Sequence, residues 1–213
     1  MTANDPDPHG GSDTRDLTAV ALVCTLKRSP DPSSSDLLAE QVLAELATHD
    51  VAGSVVRVAD YDVRPGITAD EGDGDQWPQI RERVAAADIV LIATPTWVGH
   101  MSSIAQRVLE RLDAELSNTD DAGRPAMYDK VGLAAIVGNE DGAHKIAADL
   151  FQALGDIGFT IPAQGSTYWN DQAMGGTDYK DLGSTPEAVA KTTATLARNA
   201  AHLARLLRAD GYR

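Results

Sequence analysis

The sequence predicts a three-layer α/β fold around a parallel sheet of five strands in the order 2-1-3-4-5. Short apolar runs rich in β-branched residues alternate with amphipathic segments, an order typical of a parallel sheet covered by helices on both faces. Right-handed crossovers leave few topologies for five such strands. Hydrophobic residues make up 43% of the 213 residues, which suits one domain with a substantial core.

Five segments are predicted as strands. Residues 17–24 (LTAVALVC) and 89–93 (IVLIA) are continuous apolar runs of the length expected for strands that are buried on both faces. The other three predicted strands are residues 54–58, 130–137 and 159–163. The sequence shows no internal repeat and no linker, so we expect a single domain.

Apolar residues at helical spacing predict a helix after each strand. The first helix is expected to begin near Asp36, because Asp36 and the serines before it suit N-cap positions. The others are predicted at residues 76–87, 101–116, 143–154 and 185–207. Residues 1–16 are polar and rich in Asp, Pro and Gly, so we expect a disordered tail before one domain at residues 17–213.

The charge balance narrows the range of partners. With 18 basic and 32 acidic residues the formal net charge is −14, so we expect no nucleic-acid partner, and an anionic ligand must be held by local donors. No apolar run approaches the roughly 18 residues of a membrane span, so we expect no membrane partner. The one cysteine cannot form an intrachain disulfide, which fits a cytoplasmic protein.

That cysteine, Cys24, ends the first predicted strand, where phosphatases of a related topology carry a nucleophile. Their chemistry needs an arginine after five intervening residues, and the residue at that position is Pro30. Cys24 is therefore predicted to be a small buried thiol. The His, Asp and Glu residues show no spacing typical of a metal site, so no metal is expected.

The loop after the first predicted strand carries the donors that an anion needs. It ends at a helix N-terminus, which offers unpaired N–H groups and a partial positive charge to a phosphate. A solvated, capped loop is the alternative, because Ser and Pro are common in loops. The hydroxyls and cations of this loop are those of Thr25, Lys27, Arg28, Ser33, Ser34 and Ser35.

Two further loops follow strands that meet the first strand at the same edge of the predicted sheet. After the third strand, Trp97 offers a planar wall to an aromatic ligand and Gly99 permits close backbone approach. Trp97 could instead pack on the domain or on another subunit. After the fourth strand, Gly138 and Gly142 bracket polar residues, which suits either a turn facing a ligand or an ordinary turn.

Together these loops resemble the NADPH-dependent FMN reductase family of the flavodoxin-like superfamily. The resemblance covers residues 17–179 and is carried by a Ser-rich loop between strand and helix and by four motifs. These are Pro95-Thr96-Trp97-Val98-Gly99 with Ser102-Ser103, Arg111-Leu112-Asp113, Val137-Gly138-Asn139-Glu140-Asp141-Gly142-Ala143-His144, and Ile157-Gly158-Phe159-Thr160-Ile161-Pro162. It implies a flavodoxin-like fold, non-covalently bound FMN, NAD(P)H as electron donor, a small-molecule electron acceptor, and a homodimer or homotetramer.

The resemblance also implies which residues bind the cofactor. The FMN phosphate is expected at Thr25, Lys27, Ser33, Ser34 and Ser35, and the isoalloxazine ring at Pro95, Thr96, Trp97, Val98 and Gly99, with Gly138, Asn139 and Gly142 completing the pocket. The chain departs from the family at Pro30-Asp31-Pro32, where Asp31 would repel a phosphate if it faced inward. A predicted loop with Tyr168, Trp169 and Asn170 is expected to cover the flavin or that of an adjacent subunit.

Three functions stay open at this point. The first is an NAD(P)H-dependent FMN or quinone reductase. The second is a non-enzymatic electron carrier of the flavodoxin type, which would oxidise little NAD(P)H. The third is a flavodoxin-fold interaction module without cofactor, which would stay colourless after addition of FMN.

Overall fold

The computed structural model describes residues 16–171 and 175–212, and its parallel sheet follows the order β2-β1-β3-β5-β6. Strand β4 lies off this path and pairs antiparallel with β3. Without β4 the order is the predicted 2-1-3-4-5, so the predicted fold is confirmed. The strands are β1 (Leu17–Val23), β2 (Val51–Arg57), β3 (Ile89–Trp97), β4 (His100–Met101), β5 (Val131–Val137) and β6 (Ser166–Trp169).

Helices cover both faces of the sheet. Helices α1 and α5 pack on one face, and α2, α3 and α4 pack on the other. Successive residues of β1 alternate between the two cores, with Val20 and Leu22 on the α2–α4 side and Ala21 and Val23 on the α1–α5 side. The helices are α1 (Ser34–Ala47), α2 (Trp77–Ala86), α3 (Ser103–Leu112), α4 (Ala143–Ile157) and α5 (Glu187–Ala209).

The predicted tail at residues 1–16 lies outside the described residues except for Asp16, so it stays a prediction. Within the described part of the chain, no helix is both long enough and apolar enough to span a bilayer. In the same residues, no three His, Cys, Asp or Glu side chains lie close enough together to hold a metal ion.

The predicted helix at residues 101–116 begins later and ends earlier as an α-helix. Met101 pairs with Thr96 in the β3–β4 hairpin, and α3 starts only after its N-cap Ser102. The Ser102 hydroxyl accepts a hydrogen bond from the Ala105 N–H at 3.1 Å and donates one to the Cys24 carbonyl at 2.6 Å. This cap therefore fixes the start of α3 to the end of β1. The last turn, Asp113–Ser117, is a 3-10 helix.

The predicted fifth strand at residues 159–163 is wrong in its position. Thr160 makes only an isolated bridge to Val131, and the edge strand is β6. Pro162 has no N–H to donate to the sheet, and Gln164 adopts a left-handed backbone with φ of 57°, so the chain turns before it re-enters as β6. Tyr168 and Trp169 therefore lie in a strand, not in a loop beyond it.

The acidic loop between β2 and α2 is tied to α3 by one buried ion pair. Arg111 Nη2 donates to Asp75 at 2.7 Å, and both side chains are fully buried. Other N–H groups of Arg111 donate to the carbonyls of Arg64 and Thr68. Burial alone would raise the pKa of Asp75, but hydrogen bonds from Arg111 and from backbone N–H groups outweigh burial and hold it below its usual range. Arg111 thus has a structural role.

Candidate functional site

The carboxyl ends of β1, β3, β5 and β6 meet at one cleft, which is partly open to solvent. We call it the main cleft. Its walls are formed by Thr25, Leu26, Lys27, Pro32, Ser33, Ser34, Ser35, Pro95, Thr96, Trp97, Val137, Gly138, Asn139, Trp169, Asp178, Tyr179 and Lys180.

Most of the predicted cofactor residues lie on these walls. The structure brings together Thr25, Lys27, Ser33, Ser34, Ser35, Pro95, Thr96, Trp97, Gly138 and Asn139. Val98, Gly99 and Gly142 do not line the cleft. The three predicted loops therefore converge as expected, while three residues of the predicted set lie behind or beside the cleft.

One end of the main cleft is built to receive an anion. Ser33 caps α1 in an extended backbone conformation, and its hydroxyl accepts from the Asp36 N–H. Within the described residues, the N–H groups of Ser34 and Ser35 have no protein acceptor, so both are available to a ligand at the helix N-terminus. Lys27 adds a cation that forms no ion pair in that same part of the chain.

The departure of this loop from the family pattern points away from the anion site. Asp31 is exposed and absent from the cleft walls, and its carbonyl accepts from Arg57 Nη1 at 2.7 Å. Ser29 donates through its N–H and its hydroxyl to Asp60, at 2.8 and 2.7 Å. These contacts hold the turn outward, so the carboxylate of Asp31 does not face a phosphate bound at Ser34 and Ser35.

Thr96 supplies a polar group without a protein partner. Its side chain is 4% exposed and its Oγ1 atom has no hydrogen-bond partner. A Cβ atom at Gly138 would lie 2.9 Å from Thr96 Cβ, so only glycine lets the loop after β5 approach this closely. A buried hydroxyl left without a partner is costly, and one that lines a cleft is expected to bond a polar ligand atom.

Aromatic side chains form the wall at the β6 end of the cleft. The rings of Trp169 and Tyr179 lie 5.4 Å apart, centroid to centroid, at an angle of 53°. The Tyr179 hydroxyl donates to Gln41 Oε1 at 2.5 Å, and burial raises the pKa of Tyr179. Trp97 stands at the rim with 54% of its surface exposed. Anion donors at one end and planar apolar walls at the other fit a phosphorylated flat ring such as FMN.

The hairpin between β3 and β4 explains the residues that do not line the cleft. Val98 and Gly99 are its two central residues, with left-handed φ values of 53° and 72°, as a two-residue turn of this kind requires. The Val98 N–H donates to Glu140 Oε1 at 2.9 Å. A Cβ atom at Gly142 would lie 2.9 Å from Gly99 Cα, so these glycines let the two loops pack together.

Sequence reasoning missed the 3-10 helix Tyr179–Asp181 as part of the site. Its Lys180 N–H donates to Ser34 Oγ at 3.3 Å, which joins it to the start of α1. The Lys180 ammonium donates to Asp181 at 2.5 Å and to Asp178 at 3.1 Å, and these bonds raise the pKa of Lys180. No local pattern announces this contact, because it arises only when α5 returns along α1.

Tyr168 and Trp169, which were expected together with Asn170 to cover the flavin, lie on opposite faces of the sheet. Trp169 lines the main cleft, whereas Tyr168 packs on the α2–α4 side, where its hydroxyl lies 2.9 Å from His144 Nε2. The rings of Tyr168 and His144 meet edge to face.

Cys24 is fully buried as predicted, and this burial raises the pKa of its thiol far above the usual range.

Comparisons with known proteins agree with this geometry. A model of the family described as NADPH-dependent FMN reductase matches residues 18–174. The 8-demethyl-8-aminoriboflavin-5'-phosphate synthase of Streptomyces davaonensis is 31% identical over 206 residues, covering 92% of this chain and 80% of the relative. The structure of RosB with the bound intermediate 8-demethyl-8-formylriboflavin-5'-phosphate has a TM-score of 0.83 at 31% identity, covering 92% of this chain and 82% of RosB.

A further relative is much longer than this chain. The divalent metal cation transporter MntH of Mycobacterium bovis is 36% identical over 200 residues, which cover 91% of this chain and 29% of the relative. The chain therefore spans less than a third of that relative's length. Taken together, the matches confirm the predicted resemblance and the predicted cofactor FMN.

Proposed function

Because the chain belongs to the NADPH-dependent FMN reductase family, we propose that this flavin-associated oxidoreductase is an NAD(P)H-dependent FMN or quinone reductase. The reaction takes hydride from the nicotinamide onto the bound flavin and passes the electrons to a small-molecule acceptor. FMN supplies this redox chemistry when bound, and the protein positions it. The observation that carries the proposal is the convergence of the three loops on one cleft with an anion site at one end.

At the anion end, the chain offers two backbone N–H groups and a cation. The N–H groups of Ser34 and Ser35 and the partial positive charge of the α1 N-terminus favour a phosphate dianion. Lys27 and the hydroxyls of Thr25 and Ser35, all on the cleft wall, add donors from the sides. In a chain of net charge −14, these local groups must outweigh long-range repulsion.

At the ring end, the chain offers a shaped apolar slot with few polar atoms. Thr96 contributes its unpaired hydroxyl, and Gly138 and Asn139 bring the loop after β5 against it. Trp169 and Tyr179 exclude water from one wall. This arrangement orients a planar ring and leaves the side near Trp97 open to a nicotinamide or an acceptor.

An absorption spectrum of the purified protein, recorded before and after anaerobic addition of NADPH, tests this proposal. A bound-flavin spectrum that bleaches with NADPH, followed by turnover with a quinone, supports the reductase. A flavin spectrum without NADPH oxidation would favour the electron carrier. A protein that stays colourless after FMN titration would favour the interaction module and would remove the proposal.

Modification of FMN itself is a second candidate function. It is favoured by the relative named as an aminoriboflavin phosphate synthase and by the RosB structure, both 31% identical to this chain over most of its length. Incubation with FMN, molecular oxygen as oxidant and an amino acid as nitrogen donor, followed by mass spectrometry of the released flavin, separates the two functions. A reductase returns FMN with its mass unchanged after many turnovers, whereas a modifying enzyme releases a flavin of altered mass.

A homodimer or homotetramer belongs to the same proposal. Ile67 and Leu116 are 62% and 47% exposed, and together with Leu109 and Ile157 they line a groove between α3 and α4. The same groove is also lined by four carboxylates, those of Glu110, Asp113, Asp149 and Asp156, which an interface between two copies would have to accommodate. Exposed apolar surface of this kind is typical of interfaces. Light scattering coupled to gel filtration measures the oligomeric state directly, and a mass of one chain at micromolar concentration would contradict the oligomer.

A cytoplasmic location stays a prediction.

A further inference from the structure

A second cleft lies beside the main cleft, with Leu26 forming part of both walls. It is open to solvent and lies on the α2–α3 side of the sheet, between the loop after β1, the chain after β2 and the start of α3. Val58 and Val63 form its apolar floor with the half-buried side chains of Ile104 and Tyr61. Neither the family match nor the predicted cofactor site assigns any role to these residues.

Two arginines give this second cleft a positive wall. In the described part of the chain, Arg28 and Arg107 form no ion pair, unlike Arg57, Arg81 and Arg111. Arg107 is anchored by donation from Nη1 to the Val63 carbonyl at 3.0 Å, which leaves its other N–H groups for a ligand. The planar guanidinium suits bidentate contacts to a phosphate.

Two carboxylates lie near these arginines. Asp60 lies near Arg28, and its carboxylate accepts both hydrogen bonds from Ser29. Asp62 is the carboxylate on the wall itself, so it opposes the two arginines. The lining residues Arg28, Arg107 and Asp62 together carry one net positive charge, and Asp60, which keeps its negative charge, lies beside Arg28 outside the lining.

We propose that the second cleft binds the 2'-phosphoadenosine end of NADPH, with Arg28 and Arg107 on the 2'-phosphate. This inference rests on the proposed NAD(P)H-dependent function. The FMN phosphate has its own donors at Ser34 and Ser35, so a second anion site at the same sheet edge calls for a second phosphorylated ligand. NADPH differs from NADH by the 2'-phosphate, and an arginine is the residue that accommodates it in other dinucleotide sites. The half-buried Tyr61 offers an aromatic face to the adenine.

Calorimetric titration of the FMN-loaded protein with adenosine 2',5'-bisphosphate tests the site without turnover. We expect this probe to bind at least tenfold more tightly than adenosine 5'-monophosphate or inorganic phosphate. Equal affinity for the monophosphate would remove the role of the 2'-phosphate, and equal affinity for inorganic phosphate would remove the adenosine pocket. Either result overturns the inference.

Charge-removing variants identify the residues. Arg28→Gln and Arg107→Gln are each expected to weaken binding of the bisphosphate about tenfold, the loss of one hydrogen bond to a charged group. Glutamine at position 107 keeps an N–H donor for the Val63 carbonyl. Arg83→Gln is the matched control, because Arg83 is an exposed arginine of α2 outside the cleft. Asp62→Asn is expected to tighten binding. Unchanged affinity in both Arg28→Gln and Arg107→Gln would contradict the site.

Steady-state kinetics separate this inference from the proposed function. In both arginine variants the KM for NADPH is expected to rise about tenfold, with kcat and the KM for NADH unchanged. If the wild type oxidises neither nucleotide, the proposed function fails, while the calorimetric result still decides the anion site. If NADPH is oxidised and the variants leave its KM unchanged, the function stands and this inference is wrong.

Discussion

Replacing Thr96 by valine removes one hydroxyl group and leaves the shape of the side chain nearly unchanged. In the structure, that hydroxyl is buried and its Oγ1 atom has no hydrogen-bond partner. Removing an unsatisfied buried polar group recovers roughly 1–3 kcal/mol of desolvation cost. For a domain of this size, 1 kcal/mol corresponds to about 2–4 °C in Tm. We therefore expect Thr96→Val to raise the Tm of the apoprotein by several degrees.

The same substitution is expected to weaken FMN binding. A hydrogen bond between the Thr96 hydroxyl and a ring atom is worth about 0.5–1.5 kcal/mol, so its loss raises the dissociation constant by a factor of about 2 to 12. Stability without ligand and affinity for ligand thus change in opposite directions. Differential scanning fluorimetry of the apoprotein and quenching of flavin fluorescence during titration measure the two effects.

Thr94→Val provides the matched contrast on the same strand. Thr94 is also fully buried, but its hydroxyl accepts from the Ser102 N–H and donates to the Pro95 carbonyl, each at 3.0 Å. Its loss is expected to lower the Tm of the apoprotein. A Thr96→Val protein that is less stable than wild type, or that binds FMN as tightly, would refute the assignment of the Thr96 hydroxyl to the ligand.

Three further substitutions test the packing and backbone contacts that hold the loops around the main cleft. Asp75→Asn leaves Arg111 buried without its counter-charge and should lower the free energy of unfolding by about 3–5 kcal/mol in a urea titration. In the wild type, the pKa of Asp75 is lower in the folded than in the unfolded protein. The stability that the Asp75 carboxylate contributes is therefore fully present above its unfolded pKa and is lost as the pH falls through its folded pKa. Gly138→Ala places a Cβ atom 2.9 Å from Thr96 Cβ and should destabilise the fold by about 1–3 kcal/mol while weakening FMN binding; equal stability and affinity would contradict the close approach. Val98→Gly relieves a left-handed φ of 53° at a β-branched residue and should stabilise the protein by about 1 kcal/mol in thermal unfolding, and a loss of stability would show that the turn is unstrained.

The buried parallel strands could be predicted because their signal is local. The runs that form β1 and β3 are apolar on both faces, and such runs occur where helices cover both sides of a sheet. The apolar run at residues 159–163 carries a similar signal, but Pro162 and the left-handed Gln164 end its pairing after one bridge. The strand then forms in the less apolar Ser166–Trp169.

The candidate site was predicted where it lies next to a strand end and missed where it depends on tertiary contacts. Gly138 directly follows the predicted strand at residues 130–137 and Thr96 lies three residues beyond the predicted strand at residues 89–93, so the predicted fold places both at the carboxyl edge of the sheet, where ligands bind. Tyr179 and Lys180 reach the cleft only because the last helix returns along α1. The family resemblance implied that Val98 and Gly99 line the flavin ring, and the β3–β4 hairpin that they form instead lacks the Asn-Gly signal by which such turns are found.

The most direct measurement compares FMN with riboflavin, which lacks the phosphate, in calorimetric titrations of the apoprotein. If the N–H groups of Ser34 and Ser35, with Lys27, hold the phosphate at the start of α1, at least two hydrogen bonds to a charged group are lost with riboflavin. Each is worth about 1.5–3 kcal/mol, so FMN should bind at least 100-fold more tightly. Equal affinities for the two flavins would contradict a cleft formed by these loops for a phosphorylated ring.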